Sequence, residues 1–190
     1  CSSDLKGEME AQVFRDVRNV KVLGSVEEAS RTLTSVSDKI NERMKFLSLN
    51  KAKDIDEYNS MPVEKRQVVE GYDKHFPLGR LIVVVDEVAE LVSQKRSQNW
   101  KDVSSAREAL VRIARIGRAL GVNLVIGVQK PDSYSLDQTL KANLSGVLCF
   151  YMSTVAASNA AIGSKRATLL PAKIKGRAVF LQGSHPIEIQ

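Results

Sequence analysis

The sequence predicts an α/β fold of three layers, with a mostly parallel sheet between helices, and three observations predict it. The run from Arg80 to Val85 is continuous, apolar and rich in Val and Ile, as in a strand covered on both faces of a parallel sheet. A second such run, "NLVIGV" from Asn123, follows a stretch with helical periodicity, and a third, "GVLCFYM", begins at Gly146. Strand, helix, strand, helix, strand in that order packs into layers through right-handed crossovers.

From Ser25 the apolar residues Val26, Ala29, Leu33, Val36, Ile40, Met44 and Leu47 step by three and four, which is a helix with one apolar stripe. Ser25 with Glu28 is a capping box that marks its start. Residues 50–79 are polar, carry Pro62 and Pro77 and lack sustained periodicity, so a short helix around Asp54 to Asn59 and then a loop or insertion are expected. The strand from Arg80 comes next. A second helix is expected behind a capping box of Ser105 and Glu108, with Ala106, Leu110, Ile113, Gly117 and Leu120 inward and a stop at Gly121. "RAVFLQG" from Arg177 reads as a fourth strand, and "PIEIQ" is a candidate late edge.

A chain of 190 residues, 43% of them hydrophobic, can bury a core as one domain or a domain with appendages. It opens at Cys1 without a signal-peptide pattern and reads as part of something longer. No apolar run approaches the ~18 to 20 residues that span a bilayer, so any membrane anchor is expected in segments outside this chain. Cys1 and Cys149 lie far apart, and the two histidines have no neighbours at zinc-ligand spacing. A cytoplasmic setting follows as the simplest expectation. The net charge of +6 favours polyanionic partners without demanding them.

Asp86 and Glu87 follow the most buried-looking strand, where an unpaired carboxylate would be costly, so they are expected at a strand end facing a cation. Ligands of open α/β sheets sit beyond the carboxyl ends of the strands. There an Asp can hold Mg²⁺ while the next carboxylate orients or deprotonates a water, which is the Walker B arrangement of ATP-hydrolysing proteins. The pattern alone leaves open that the two acids merely cap the next helix.

The wording further along the chain narrows this. "RLIVVVDEVAELV", "LVRIARIGRALGVNLVIGVQKP" and "LKANLSGVLCF", in this order, resemble the motor domain of FtsK/SpoIIIE-type DNA translocases and their conjugative coupling relatives in the FtsK–HerA superfamily. "SSDLKGEME" resembles that family's strand ending in Asp-x-Lys, and "INERMKFLSLNKAKDIDEYN" its long helix leading to Tyr58 and Asn59. "LLPAKIKGRAVFLQG" is similar to the segment near the end of the ATPase core. The resemblance implies a RecA-like P-loop NTPase core, incomplete, spanning residues 1–190.

It also implies roles. Asp86 would be the magnesium-side acid, Glu87 the catalytic glutamate, Gln129 the polar residue that senses the γ-phosphate or places the water, and Arg118 the arginine presented to a neighbouring subunit's nucleotide. ATP and Mg²⁺ are the implied cofactors. The implied assembly is a homo-oligomer, a hexameric ring around double-stranded DNA. Lys95, Arg96 and Lys101, around Trp100, stand where the family's DNA-gripping loop is expected, since cations beside an aromatic suit backbone contact without sequence reading. From the residues alone, Gln129 as a strand cap, Arg118 as a solvated cation beside Arg112 and Arg115, and a charged loop with Trp100 packed inward stay open.

Two departures stand out. The phosphate-cradling pattern G-x-x-x-x-G-K-[ST] does not occur among the eleven glycines, and Ser145 and Gly146 stand where DNA-translocating relatives often carry Thr-Arg. The expected function is part of an ATP-driven DNA translocase. A secretion or coupling ATPase that moves protein, and a non-catalytic ATPase-like scaffold, are the alternatives. A plain basic DNA-binding domain is weaker, because no helix-turn-helix or zinc-finger pattern appears.

Overall fold

The computed structural model describes residues 2–3, 13–92, 100–131, 138–183 and 185–190. The chain divides into two compact units, Cys1–Gly127 and Val128–Gln190.

The first unit is built on four parallel strands: β1 (Ser2–Ser3), β2 (Val22–Leu23), β3 (Leu81–Val85) and β4 (Val122–Ile126), in the order β2-β1-β3-β4. The pattern misses β2, because two residues are too short to show a period. Helix α1 (Val26–Leu49) starts where expected, with Ser25 Oγ accepting the Glu28 N–H at 3.2 Å while the Glu28 carboxylate accepts the Gly24 N–H. Its apolar stripe packs on helix α4 (Trp100–Ile116): Ile40, Ala106, Leu110 and Ile113 are sealed from solvent. Fully burying one such Leu or Ile contributes roughly 1.5–3 kcal/mol. The expected stripe is wrong at one turn, where Met44 is exposed and Arg43 is buried.

Two further expectations are corrected. Helix α4 starts at Trp100, so Ser105 lies within it on an exposed face and caps nothing. The stripe reaches back through Val103, which is buried, and so carries the helix past the apparent cap. Strand β3 is not covered on both faces either. Val83 and Val85 are buried, whereas Ile82 is 56% exposed and Val125, beside Val84 on β4, is 53% exposed.

Residues 50–79 hold the expected short helix, α2 (Ile55–Ser60), capped by Asp54. Tyr58 is buried beneath the Arg66 guanidinium. Asn59 donates to Leu78 O at 3.1 Å and accepts the Leu78 N–H at 2.7 Å, as a strand would. Tyr58 and Asn59 therefore pin the loop that leads into β3. A short helix, α3 (Val88–Val92), follows that strand.

In the second unit, α5 (Gln138–Ala142) precedes β5 (Val147–Phe150), and helix α6 (Val155–Ile162) lies between β5 and the hairpin β6 (Ala178–Gln182) and β7 (His185–Ile189). The expectation that "GVLCFYM" continues the alternation of parallel strands is corrected: it pairs antiparallel with the fourth strand, "RAVFLQG", and β5, β6 and β7 form an antiparallel sheet. "PIEIQ" does supply its edge. The core gathers Cys149, Ile162, Ala167, Leu170 and Val179, and burial pushes the Cys149 thiol pKa up. Among the described residues, no helix is long and apolar enough to cross a membrane.

Candidate functional site

The order β2-β1-β3-β4 reverses direction at β1: the chain passes from β1 to β2 on one side and returns to β3 on the other. Open parallel sheets bind ligands at such a reversal, beyond the carboxyl ends of the strands. Asp86 and Glu87 stand at that end of β3. Asp86 is exposed. Glu87 is half-buried, and one carboxylate oxygen accepts the Ala89 N–H at 3.2 Å, so it also caps α3. The capping alternative is thus real for Glu87 but leaves Asp86 unaccounted for.

Gly127 shapes this crest. Its N–H donates to Val85 O at 2.7 Å and its carbonyl accepts the Val88 N–H at 3.3 Å, extending the pairing of β3 and β4 to the acid pair. A Cβ at Gly127 would lie 2.1 Å from Asp86 O. Only glycine lets the two backbones meet there.

Arg118 opens a 3-10 turn, Arg118–Leu120, that leads into the amino end of β4 and closes on Gly121 at φ +72°. Its guanidinium is exposed and, among the described residues, has no hydrogen-bond or ion-pair partner. Because β3 and β4 run parallel in the register Leu81↔Val122 to Val85↔Ile126, Arg118 and the acid pair lie at opposite edges of one sheet. A five-residue strand spans roughly 16 Å. The structure brings Asp86 and Glu87 together and holds Arg118 apart from them.

Beneath the Arg118 turn, Arg43 sends Nη1 to Leu120 O at 2.7 Å and Gly121 O at 3.2 Å, and Nη2 to Gly79 O at 2.8 Å. Burial pushes its pKa down from the usual arginine value. Gly127 and Arg43 escaped the sequence reading. An isolated Gly at a strand end was a usable signal for the first, whereas Arg43 in a mostly apolar stripe gave none.

Gln129 is exposed at the start of the second unit. Lys101 is exposed in the first turn of α4, while Lys95 and Arg96 lie outside the described residues, as do Asp4 and Lys6. Ser145 and Gly146 are exposed ahead of β5. Among the described residues no three His, Cys, Asp or Glu side chains could hold a metal. One exposed strand-end carboxylate fits Mg²⁺, which keeps several waters and takes one or two carboxylates plus phosphate oxygens.

The FtsK/SpoIIIE family model matches residues 9–133. The DNA translocase FtsK of Lactococcus lactis subsp. lactis is 26% identical over 188 residues, covering 96% of this chain and 23% of that protein. FtsK of Streptococcus pyogenes serotype M1 is 24% identical over the same span, 22% of its length. The chain thus spans under a quarter of these relatives. Among solved structures, the pCW3 conjugation coupling protein TcpA, a monomer with ATPγS, matches all of this chain and 50% of its own at 29% identity and a TM-score of 0.86. The cytoplasmic domain of the Thermomonospora curvata type VII secretion ATPase EccC, at 21% identity and a TM-score of 0.71, shares the fold.

Proposed function

We propose, from the premise that this chain belongs to the FtsK/SpoIIIE family, that it is part of an ATP-driven motor that moves double-stranded DNA through a ring of identical subunits. The observation that carries the reading is the placement of Asp86 and Glu87 at the carboxyl crest of a parallel sheet, where the strand order reverses. The α/β fold shared with the coupling and secretion ATPases supports it.

In this reading Asp86 holds Mg²⁺ beside the triphosphate of ATP. Bound there, Mg²⁺ would neutralise charge developing on the phosphates. Glu87 orients the attacking water and takes its proton, with the Ala89 N–H fixing the carboxylate. Gln129 serves as the polar residue near the γ-phosphate. Arg118 serves a neighbour: a guanidinium at the far edge of its own sheet cannot reach its own acid pair, whereas an adjoining subunit can receive it. Such an arginine is worth ~10³ to 10⁵ in rate. Lys95, Arg96 and Lys101 grip the phosphate backbone of the duplex.

The test is steady-state ATP hydrolysis by the full-length protein with and without duplex DNA. DNA should stimulate turnover, and Glu87→Gln should abolish it while nucleotide binding persists. Turnover indifferent to DNA would favour a protein substrate, the second reading, which rests on the fold shared with EccC. Wild-type turnover in Glu87→Gln would remove Glu87 from the chemistry.

A further inference from the structure

Arg43 is 7% exposed, yet it projects from α1 into a pocket of main-chain carbonyls. Its fork takes Leu120 O, Gly121 O and Gly79 O, and its Nε has no partner among the described residues. No carboxylate accompanies it in these contacts. An unpaired buried charge is costly, and an apolar side chain of similar volume would continue the stripe of α1 at less cost. What the cation does is therefore to be sought in what it holds.

It holds the far end of the turn that begins with Arg118. Leu120 and Gly121 carry the carbonyls at the end of the 3-10 turn, which have no partner within it: Arg43 takes Leu120 O, and it adds a second, longer bond to Gly121 O, which also accepts the Leu81 N–H at 2.8 Å. Gly79 O ties the same guanidinium to the entry of β3. The turn is built tightly from the other side as well. A Cβ on Gly117 would lie 2.5 Å from Ile113 O and 2.6 Å from Val122 O. One on Gly121 would lie 2.3 Å from Ile55 Cδ1 and 3.0 Å from the Arg43 Nη1. The planar fork fits carbonyls diverging from two segments, which a lysine ammonium does not match.

We propose that Arg43 is a positioning residue for Arg118, locking the Gly117–Gly121 turn so that the exposed guanidinium is presented in one direction to the nucleotide of a neighbouring copy. This rests on the reading of Arg118 as an arginine that acts on the adjacent subunit. A misplacement of about 1 Å can cost ~10²-fold in rate.

The test uses mixed rings of the full-length protein. Arg43→Met alone should lower kcat about 10²-fold, with KM for ATP little changed because its own acid pair is intact. Mixed with Glu87→Gln subunits, it should regain turnover to the level of a parallel mixture of Arg118→Ala with Glu87→Gln, because the neighbour supplies a correctly held Arg118. A defect confined to the folding of the mutated subunit would not be rescued in this way. Arg43→Lys, which keeps charge and reach, covers the case in which Arg43→Met fails to fold; it too should lose kcat and be complemented. Wild-type kcat in Arg43→Lys, or absence of complementation while the Arg118→Ala mixture complements, overturns the proposal. Failure of the Arg118→Ala mixture as well would instead strike the reading of Arg118 and take the proposal with it.

Discussion

Replacing Gly127 by Ala tests the geometry of the crest directly. The added Cβ would sit 2.1 Å from Asp86 O and 3.0 Å from Asp86 C, both main-chain atoms that cannot rotate away. Ordinary carbon contacts begin near ~3.5 Å, so the ends of β3 and β4 must part by well over an ångström. Overpacking of this kind costs about 1–3 kcal/mol. The bonds Gly127 N–H to Val85 O and Val88 N–H to Gly127 O would weaken with it, at about 1 kcal/mol each. The total is about 3–5 kcal/mol, a fall of roughly 6–20 °C in Tm for a chain of this size. Differential scanning fluorimetry of the 190-residue chain reads the fall. Gly24→Ala is the control, because its Cβ meets nothing within 4 Å; it should change stability by under ~1 kcal/mol. In the full-length protein Gly127→Ala should also cost about 10²-fold in ATP turnover, because Asp86 and Glu87 move with the strand end. A Gly127→Ala chain as stable and active as the parent would show that the strand crossing does not position the acid pair.

The 190-residue chain by itself should hydrolyse ATP weakly or not at all, because it contains no G-x-x-x-x-G-K-[ST] segment to cradle the phosphates; robust turnover in a malachite-green assay would refute this. The second unit should lose stability at alkaline pH. Burial raises the Cys149 thiol pKa, so the native state keeps a proton that the unfolded chain releases. That contribution is whole below the unfolded value of ~8.5 and declines as pH rises toward the folded one. Denaturant titrations from neutral to alkaline pH should show the gap between wild type and Cys149→Ala narrowing, and a gap independent of pH would dismiss the effect.

Periodicity made α1 and α4 legible, because a helix that buries one face against another must repeat its apolar residues every three or four positions. The same rule misled wherever a polar residue served the interior. At Arg43 the stripe accepted a cation because carbonyls from two segments waited for it, and Met44 was displaced to the surface. Ser105 and Glu108 mimicked a helix start, but Val103 and Ala106 already continued the buried face, so Ser105 stayed an exposed residue within the helix. Strand pairing was legible only in part. Apolar runs mark β3, β4 and β5 as strands without stating their partners, and β5 found an antiparallel neighbour in β6.

The position of the acid pair was legible for a different reason: charge directly after a buried strand is expensive unless the strand ends at a ligand or a helix start, and here Glu87 meets the helix start while Asp86 stands exposed at the crest, where the proposed reading puts the ligand. The role proposed for Arg118 comes only from the resemblance, since an exposed arginine among several carries no local mark. Chain order even argues against its separation from the acids, because β3 and β4 are neighbours in the sheet. Strand direction decides otherwise. Parallel neighbours place the end of one strand and the start of the next at opposite edges, so a residue before β4 and a residue after β3 cannot serve one ligand within one chain. If both contribute to the same triphosphate, two copies must meet. On the proposed reading, the subunit interface is thus a consequence of parallel strand topology.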